Sequence, residues 1–397
     1  MSSKRRSHDE GLPRPSGHYD AVVVGARAGG AATAMLLARR GLRVLAVDKG
    51  AYGSDTLSSH ALMRGAMTRL HRWGLLGKLW EAGTPVITRT SFRYGAEVLE
   101  LDVAASDEIP GLAAPRRTVL DPILVDAAIV AGAAVHHETR LLTIDADMTG
   151  RVRGVNLGFA DGSTESISTD LLVGADGLRS AVARQLDVPV TRKGVHASAY
   201  VMQYFADVDL CASAYCWLYR PGLGAGVIPT NADSFCVFAA MPPDRFNTEA
   251  RHGAAATMAD VLRALDPDLW RALSSATTAG PIRCWPGVRG QFRKPYGPGW
   301  ALVGDAGYFK DPFAAHGISD AFRDAELLTE AIVGGDFPRY ERLRNELSVP
   351  LFAVLEQIAS YEWDLDTLPG LHVQLSQAMR EEEDAAKALA GEAAVAA

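Results

Sequence analysis

Residues 22–49 read VVVGARAGGAATAMLLARRGLRVLAVDK, and the order of textures in that stretch decides the fold. A short β-branched run, Val22 to Val24, meets a glycine cluster; Met35, Leu36 and Leu37 then follow in a helical pattern as far as Arg40-Gly41, and RVLAV starts a second strand. Strand, turn, helix and strand in this order make two parallel neighbours with a right-handed crossover. Gly25 makes the tight turn off the strand and Gly30 lets the helix pack against it, so amides at the helix N-terminus face an anion. Asp48 ends the second strand 23 residues after Gly25, the spacing of an acid that bonds a ribose hydroxyl. Arg27 stands where a second glycine would admit a diphosphate. Turned outward, its side chain leaves room and its charge assists the phosphates; a register through Gly29 is the alternative. The unit reads as a dinucleotide site for an unphosphorylated ribose, which FAD and NAD both satisfy.

Outward from this unit the chain changes texture twice. RVRGVNLGF, the Asp161-Gly162 turn and a strand ending in DLLVGAD read as a hairpin. From about Thr191 to Met241 short strands rich in Tyr, Trp, Phe and Val alternate with Gly and Pro, and helical residues return near 254–275. At Trp300 the parallel-sheet texture resumes with WALVGDAG, followed by a helix over about 317–332. His60 to Trp73 has helical spacing, and Asp121-Pro122 opens another helix. The fold class expected is α/β, α+β overall: a Rossmann-like domain with an inserted, mostly antiparallel β-sheet domain and a C-terminal helical segment. The boundaries are a disordered tail at 1–17, a discontinuous nucleotide lobe at 18–84, 103–186 and 286–345, a sheet lobe at 85–102 and 187–285, and helices at 346–397.

Composition excludes several function classes. Forty basic against 47 acidic side chains give a formal charge of -7, which disfavours sequence-independent binding to a nucleic-acid backbone. A small molecule is the expected partner, for a monomer or homodimer. Four cysteines, Cys211, Cys216, Cys236 and Cys284, lack zinc or disulfide-scaffold spacing and point to a reducing cytoplasm. No apolar run is long enough to span a membrane, and metal ligation is not expected.

Two further segments, DLLVGADGLRSAVA at 170–183 and GWALVGDAGYFKDPFAAHGISDA at 299–321, join the first in order along the chain. Together the three resemble the fingerprints of the flavoprotein monooxygenases typified by para-hydroxybenzoate hydroxylase, whose relatives include tetracycline-inactivating monooxygenases, geranylgeranyl reductases and flavin halogenases. The resemblance implies FAD, NADH or NADPH as a transient reductant, and O2 activated at flavin C4a as a hydroperoxide that oxygenates a small aromatic or polyketide-like substrate. It places Asp305 on the ribityl chain and Asp176-Gly177 beside the cofactor. Lys49 and Leu141 join the cofactor set. Pro312, Gly317 and Ile318 open a helix whose positive end stabilises charge on the reduced ring. Arg117, in RRTVLDPIL, takes the place of a guanidinium that approaches the cofactor from the side, with Arg116 competing for the role. The family usually has glycine where Ala315 stands and a Gln-like residue where His316 stands.

No second glycine-rich unit is present, which disfavours a two-dinucleotide reductase, and the halogenase segment WxWxIP is missing, the corresponding stretch reading GVIPTNAD. An alkene-saturating flavin reductase and a non-catalytic FAD-binding protein remain the rivals. For the substrate pocket, alternation puts Tyr200, Met202 and Tyr204 on one face and Trp217 with Tyr219 on another. Met63, Tyr204, Trp217, Tyr219, Pro229 and Phe313 form the candidate lining, and His316 or His60 the candidate base or proton relay.

Overall fold

The computed structural model describes residues 13–396. The expected tail at 1–17 falls largely outside them. Within its described part, Pro15 is buried and Arg14 pairs with Asp161 and Ser163 and lies over the Phe159 ring, so the chain is already held to the hairpin there.

Strand His18–Val24 lies at the centre of a mixed sheet. It runs parallel to Val44–Val47 on one side and to Thr164–Gly174 on the other, and Trp300–Leu302 adds parallel to the latter. The register is level at one edge: Val24 lies opposite both Val47 and Gly174, and Gly174 opposite Leu302. Four strands therefore end side by side, and the loops that leave them, at Gly25, Asp48, Ala175 and Val303, open on one crevice, where ligands of such sheets bind. Ala21 to Val23 and Leu45 to Val47 are fully buried, as a sheet covered on both faces requires.

Helix Ala28–Arg39 packs back on this sheet. Gly25 has φ +101°, and a Cβ on it would lie 2.4 Å from the Ala175 carbonyl oxygen. A Cβ on Gly30 would lie 1.7 Å from the Gly25 oxygen. Only glycine lets strand, helix and the second loop approach this closely.

The second sheet orders strands Thr277–Thr278, Ala199–Ala206, Ser234–Met241, Leu223–Thr230, Ala214–Arg220, Arg89–Tyr94 and Glu97–Asp102, all antiparallel except one parallel contact. Period-two alternation sorts its side chains. Tyr200, Met202, Tyr204, Trp217 and Phe238 belong to the core shared with the nucleotide lobe, whereas Val201, Phe205, Leu218 and Val237 meet helix Ala254–Leu265 on the outer face. Each such buried side chain contributes roughly 1.5–3 kcal/mol. One face is thus committed to the boundary between lobes.

Two local expectations change. The helix expected to open at His60 starts at Arg64, and His60 sits in a loop with φ +57°, in the left-handed region. The helix expected to open at Asp121-Pro122 starts at Arg117, because Asp121 pairs with Arg117 one turn back instead of capping. The C-terminal region is helical, as Phe337–Ala359 and Leu368–Ala396. No helix among the described residues is long and apolar enough to cross a membrane.

Candidate functional site

The crevice deepens into one cavity of about 1000 Å³ that runs from the glycine loop to the inner face of the second sheet. That is the upper end of the range for small-molecule sites. At its nucleotide end lie Gly25, Arg27, Ala28, Gly29, Asp48, Lys49 and Leu141. Gly30 is not in the lining; its place is the helix–strand contact. Asp48 accepts from the amides of Ala26, at 2.9 Å, and Gly50, at 2.7 Å, so it also locks the loop it faces. Arg27 turns its guanidinium to Asp121, at 3.0 Å, and to Ser54. Arg117 donates to the same Asp121 at 2.9 Å, so one carboxylate holds two cations at the cavity wall.

Further along the wall, Asp176 accepts from Ala181 at 2.5 Å and caps the short helix there, while its Oδ1 is buried with no hydrogen-bond partner among the described residues. Gly177, at φ +78°, faces open space. Asp305 is exposed on the open side of the cavity, while the protein packed around it pushes its carboxyl up to about 6 against the pull of Lys310 and Arg117. Pro312, Gly317 and Ile318 line the wall beside it, and the nearest atom to a Cβ on Gly317 would be Asp305 Oδ1 at 3.9 Å. Two helix N-termini, at Ala28 and Gly317, open on this space. A polar chain with phosphates and an elongated ring system fits that combination of unfilled glycine positions, an orphaned acceptor and free amides.

The sequence profile described as FAD binding domain matches residues 18–333. The chain belongs to that family. FAD is the cofactor the family implies. Over 213 residues, 49% of this chain, the sequence is 31% identical to aklavinone 12-hydroxylase DnrF of Streptomyces peucetius subsp. caesius. The match covers 42% of that hydroxylase, so this chain spans under half its length. Digeranylgeranylglycerophospholipid reductase 1 of Methanococcoides burtonii is 26% identical over 376 residues, 88% of this chain and 86% of that one. The solved flavin-dependent brominase Bmp2 superposes with a TM-score of 0.75 at 20% identity, covering 85% of this chain and 87% of that one. At that identity the likeness is one of fold.

The other end of the family's cavity differs from the sequence expectation. Tyr200, Met202, Phe238, Trp285, Phe309 and His60 line it. Tyr204, one step along the expected face, lies just behind: its hydroxyl meets His60 Nε2 and its ring stacks on the imidazole at 5.5 Å. Trp217, Tyr219, Pro229, Phe313 and Met63 do not reach the cavity. Trp217 packs on Tyr215 and Phe238, and Pro229 is buried in its strand. Tyr219 and Phe313 stack on each other, and Trp363, Tyr361 and His372 from the C-terminal region cover them. Sheet alternation gave the facing of Tyr219 correctly, but the chain's own C-terminal segment fills the space in front of it and of Phe313.

His60 is almost completely buried. Desolvation, then the charges of Arg117, Arg116 and Arg283, lowers its pKa well below the usual histidine value, so the ring is neutral. Burial raises the Tyr204 hydroxyl, which stays protonated. Arg116 lies 3.8 Å over the Tyr204 ring, and Asp55 holds both Arg116 and Arg283. His60 Nδ1 has no hydrogen-bond partner among the described residues.

His316 does not line the cavity. It precedes helix Gly317–Gly334 with Nδ1 3.2 Å from Asp320 and Nε2 3.6 Å from Glu382 of the C-terminal helix. Burial pushes its pKa down to about 3. A neutral, enclosed imidazole cannot meet a substrate, so the base role expected of it is not supported by its position. Lys310, Asp311 and Asp320, which do line the cavity, were missed. The only available signal was Lys310-Asp311 itself, a charged pair directly after the apolar Tyr308-Phe309.

Proposed function

We propose that this chain is an FAD-dependent monooxygenase that uses NADH or NADPH and O2 to place one oxygen atom on a small aromatic or polyketide-like substrate. The observation that carries this reading is continuity: one cavity joins the glycine loop to an aromatic chamber formed by Tyr200, Met202, Phe238 and Trp285. A cofactor long enough to fill the nucleotide end would present its ring to that chamber. FAD, when bound, supplies the electron transfer and oxygen activation.

The chain's residues do the rest. Amides at Ala28 and Gly317 receive negative charge, and Asp48, Asp176 and Asp305 offer acceptors to hydroxyl groups. The aromatic chamber keeps water from the reacting centre. At its wall the Tyr204 hydroxyl and His60 Nε2 share a hydrogen bond; with the hydroxyl as its donor, the imidazole proton would sit on Nδ1, which has no other partner among the described residues. His60 then offers a donor to a substrate oxygen, with the nearby guanidinium groups favouring an oxygen that carries negative charge, such as that of an ionised phenol.

The resemblance to a digeranylgeranylglycerophospholipid reductase along nearly the whole of both chains supports a second reading, reduction of a carbon–carbon double bond. Substrate-triggered NAD(P)H oxidation with O2 uptake separates the two. One O2 consumed per oxygenated product is the expected result; anaerobic turnover to a saturated product would establish the reductase instead. Bound FAD with no turnover of any candidate would leave a binding protein.

A further inference from the structure

Lys310 is fully buried, with 4% of its side chain exposed, yet it belongs to the lining of the cavity together with Asp305, Pro312, Gly317 and Ile318. Its ammonium pairs with Asp320 in the first turn of helix Gly317–Gly334 and lies 4.9 Å over the Tyr308 ring. Around it stand Asp305 from the turn after the strand, His316, Arg323 and Asp324 from the helix and its entry, and Glu382 from the C-terminal helix. In the inner cluster two cations, Lys310 and Arg323, face three carboxylates, Asp320, Asp324 and Glu382. Even with Lys310 protonated the cluster carries one net negative charge. Such a grouping is costly to bury, and a simple helix contact would be made more cheaply by apolar residues.

We propose that the Lys310 ammonium is the cation that offsets the charge gained by the cofactor on reduction, and that it thereby raises the cofactor's potential. The inference rests on the FAD reading above. Reduction by NAD(P)H moves two electrons and one proton to FAD, releases NAD(P)+ and leaves one added negative charge in the cavity. Inside a protein a nearby fixed cation stabilises that charge far more than water-screened charges would. Burial, with help from Arg323, pushes Lys310 down to about 7. Added negative charge raises it again, so across neutral pH reduction draws one further proton onto the amine.

Reductive titration of the FAD-loaded protein with dithionite and a redox dye tests this. Lys310→Met is expected to hold FAD with its preference for the reduced form weakened about tenfold, a potential lower by about 30 mV for a two-electron couple. Lys310→Arg, which keeps the charge and cannot titrate, is expected to restore the potential but to lose the extra fall of about 30 mV per pH unit that the unmodified protein shows in part of the range between about pH 6 and 9. Loaded Lys310→Met with an unchanged potential overturns the proposal. If that variant does not fold, the unmodified protein decides: no such steepening overturns it, and steepening that Lys310→Arg abolishes supports it. Failure of the unmodified protein to take up FAD at all, read from its visible absorbance, would be a failure of the cofactor reading.

Discussion

The two ends of the cavity are built in different ways. At the nucleotide end the working groups are backbone amides at Ala28 and the bare positions at Gly25 and Gly177, joined by short carboxylates fixed by the loops that leave adjacent strands in level register. At the chamber end they are side chains contributed by strands Ala199–Ala206, Ser234–Met241 and Arg283–Trp285 and by the loop at His60. A backbone site is specified by a few consecutive residues, whereas a side-chain site is specified by what else in the chain packs in front of it. The first tolerates almost no change in volume; the second should change in specificity before it loses its fold.

The sharpest way to break that contrast is Gly30→Ala. Its added methyl would collide with the Gly25 carbonyl at 1.7 Å, and backbone cannot yield as a flexible side chain can. The expected outcome is a cost of about 3 kcal/mol or more, with FAD retention lost, read by thermal unfolding and bound-flavin absorbance. Stability near that of the parent would show that the loop is not the tight cradle described.

At the chamber end, Trp285→Ala should leave FAD bound while raising KM for the substrate by about tenfold or more, since it removes a half-buried ring that lines the cavity beside Phe309. Tyr219→Phe, a change outside the cavity in a residue that stacks on Phe313, should leave KM unaltered. If the two variants exchanged these behaviours, the C-terminal segment would not be filling the space in front of Tyr219. Tyr204→Phe keeps the stacked ring and removes the partner of His60; kcat is expected to fall by about ten- to a hundredfold with FAD binding intact.

These cases show what was legible in the sequence. The glycine loop and Asp48 form a local pattern whose geometry follows from neighbours in sequence, and the structure puts them on the cavity wall together with Asp176-Gly177 and Asp305, which entered through the resemblance of their segments to a family fingerprint. The facing of Tyr200, Met202, Tyr204, Trp217 and Tyr219 was legible as well, by alternation. Which of them reach the cavity was not, because Trp363 and His372 lie more than 140 residues further along the chain and nothing in their local pattern announces where they dock. His316 failed for the same reason: its partner Glu382 comes from the far end of the chain. Lys310 looks like a surface lysine until Asp320 and the C-terminal helix enclose it.

That enclosure makes the His316 contact sensitive to acid. A buried histidine whose folded pKa is about 3, against about 6.5 unfolded, binds a proton more readily in the unfolded chain. Its contribution is therefore complete above about pH 6.5 and is lost progressively as pH falls from there toward 3. Melting temperatures measured at pH 7.5 and about pH 5 should differ less for His316→Gln than for the parent, because glutamine offers polar atoms to Asp320 and Glu382 but does not titrate. An equal acid shift in both would mean that other groups govern acid stability.

The smallest expected effect is at the hinge between the two ends. Ala315 holds φ +50° and ψ +30°, a left-handed conformation that costs a residue with a Cβ about 1 kcal/mol and glycine almost nothing. Ala315→Gly removes that strain and also loosens the unfolded chain, so the two terms oppose each other and the net gain should be below about 1 kcal/mol. A rise in melting temperature of a few degrees or less with FAD affinity unchanged would place the strain in the fold alone. A change in FAD affinity without a change in melting temperature would show instead that the strained turn sets the position of Pro312 and Gly317 at the cavity wall, where the backbone-built end gives way to the end built from side chains.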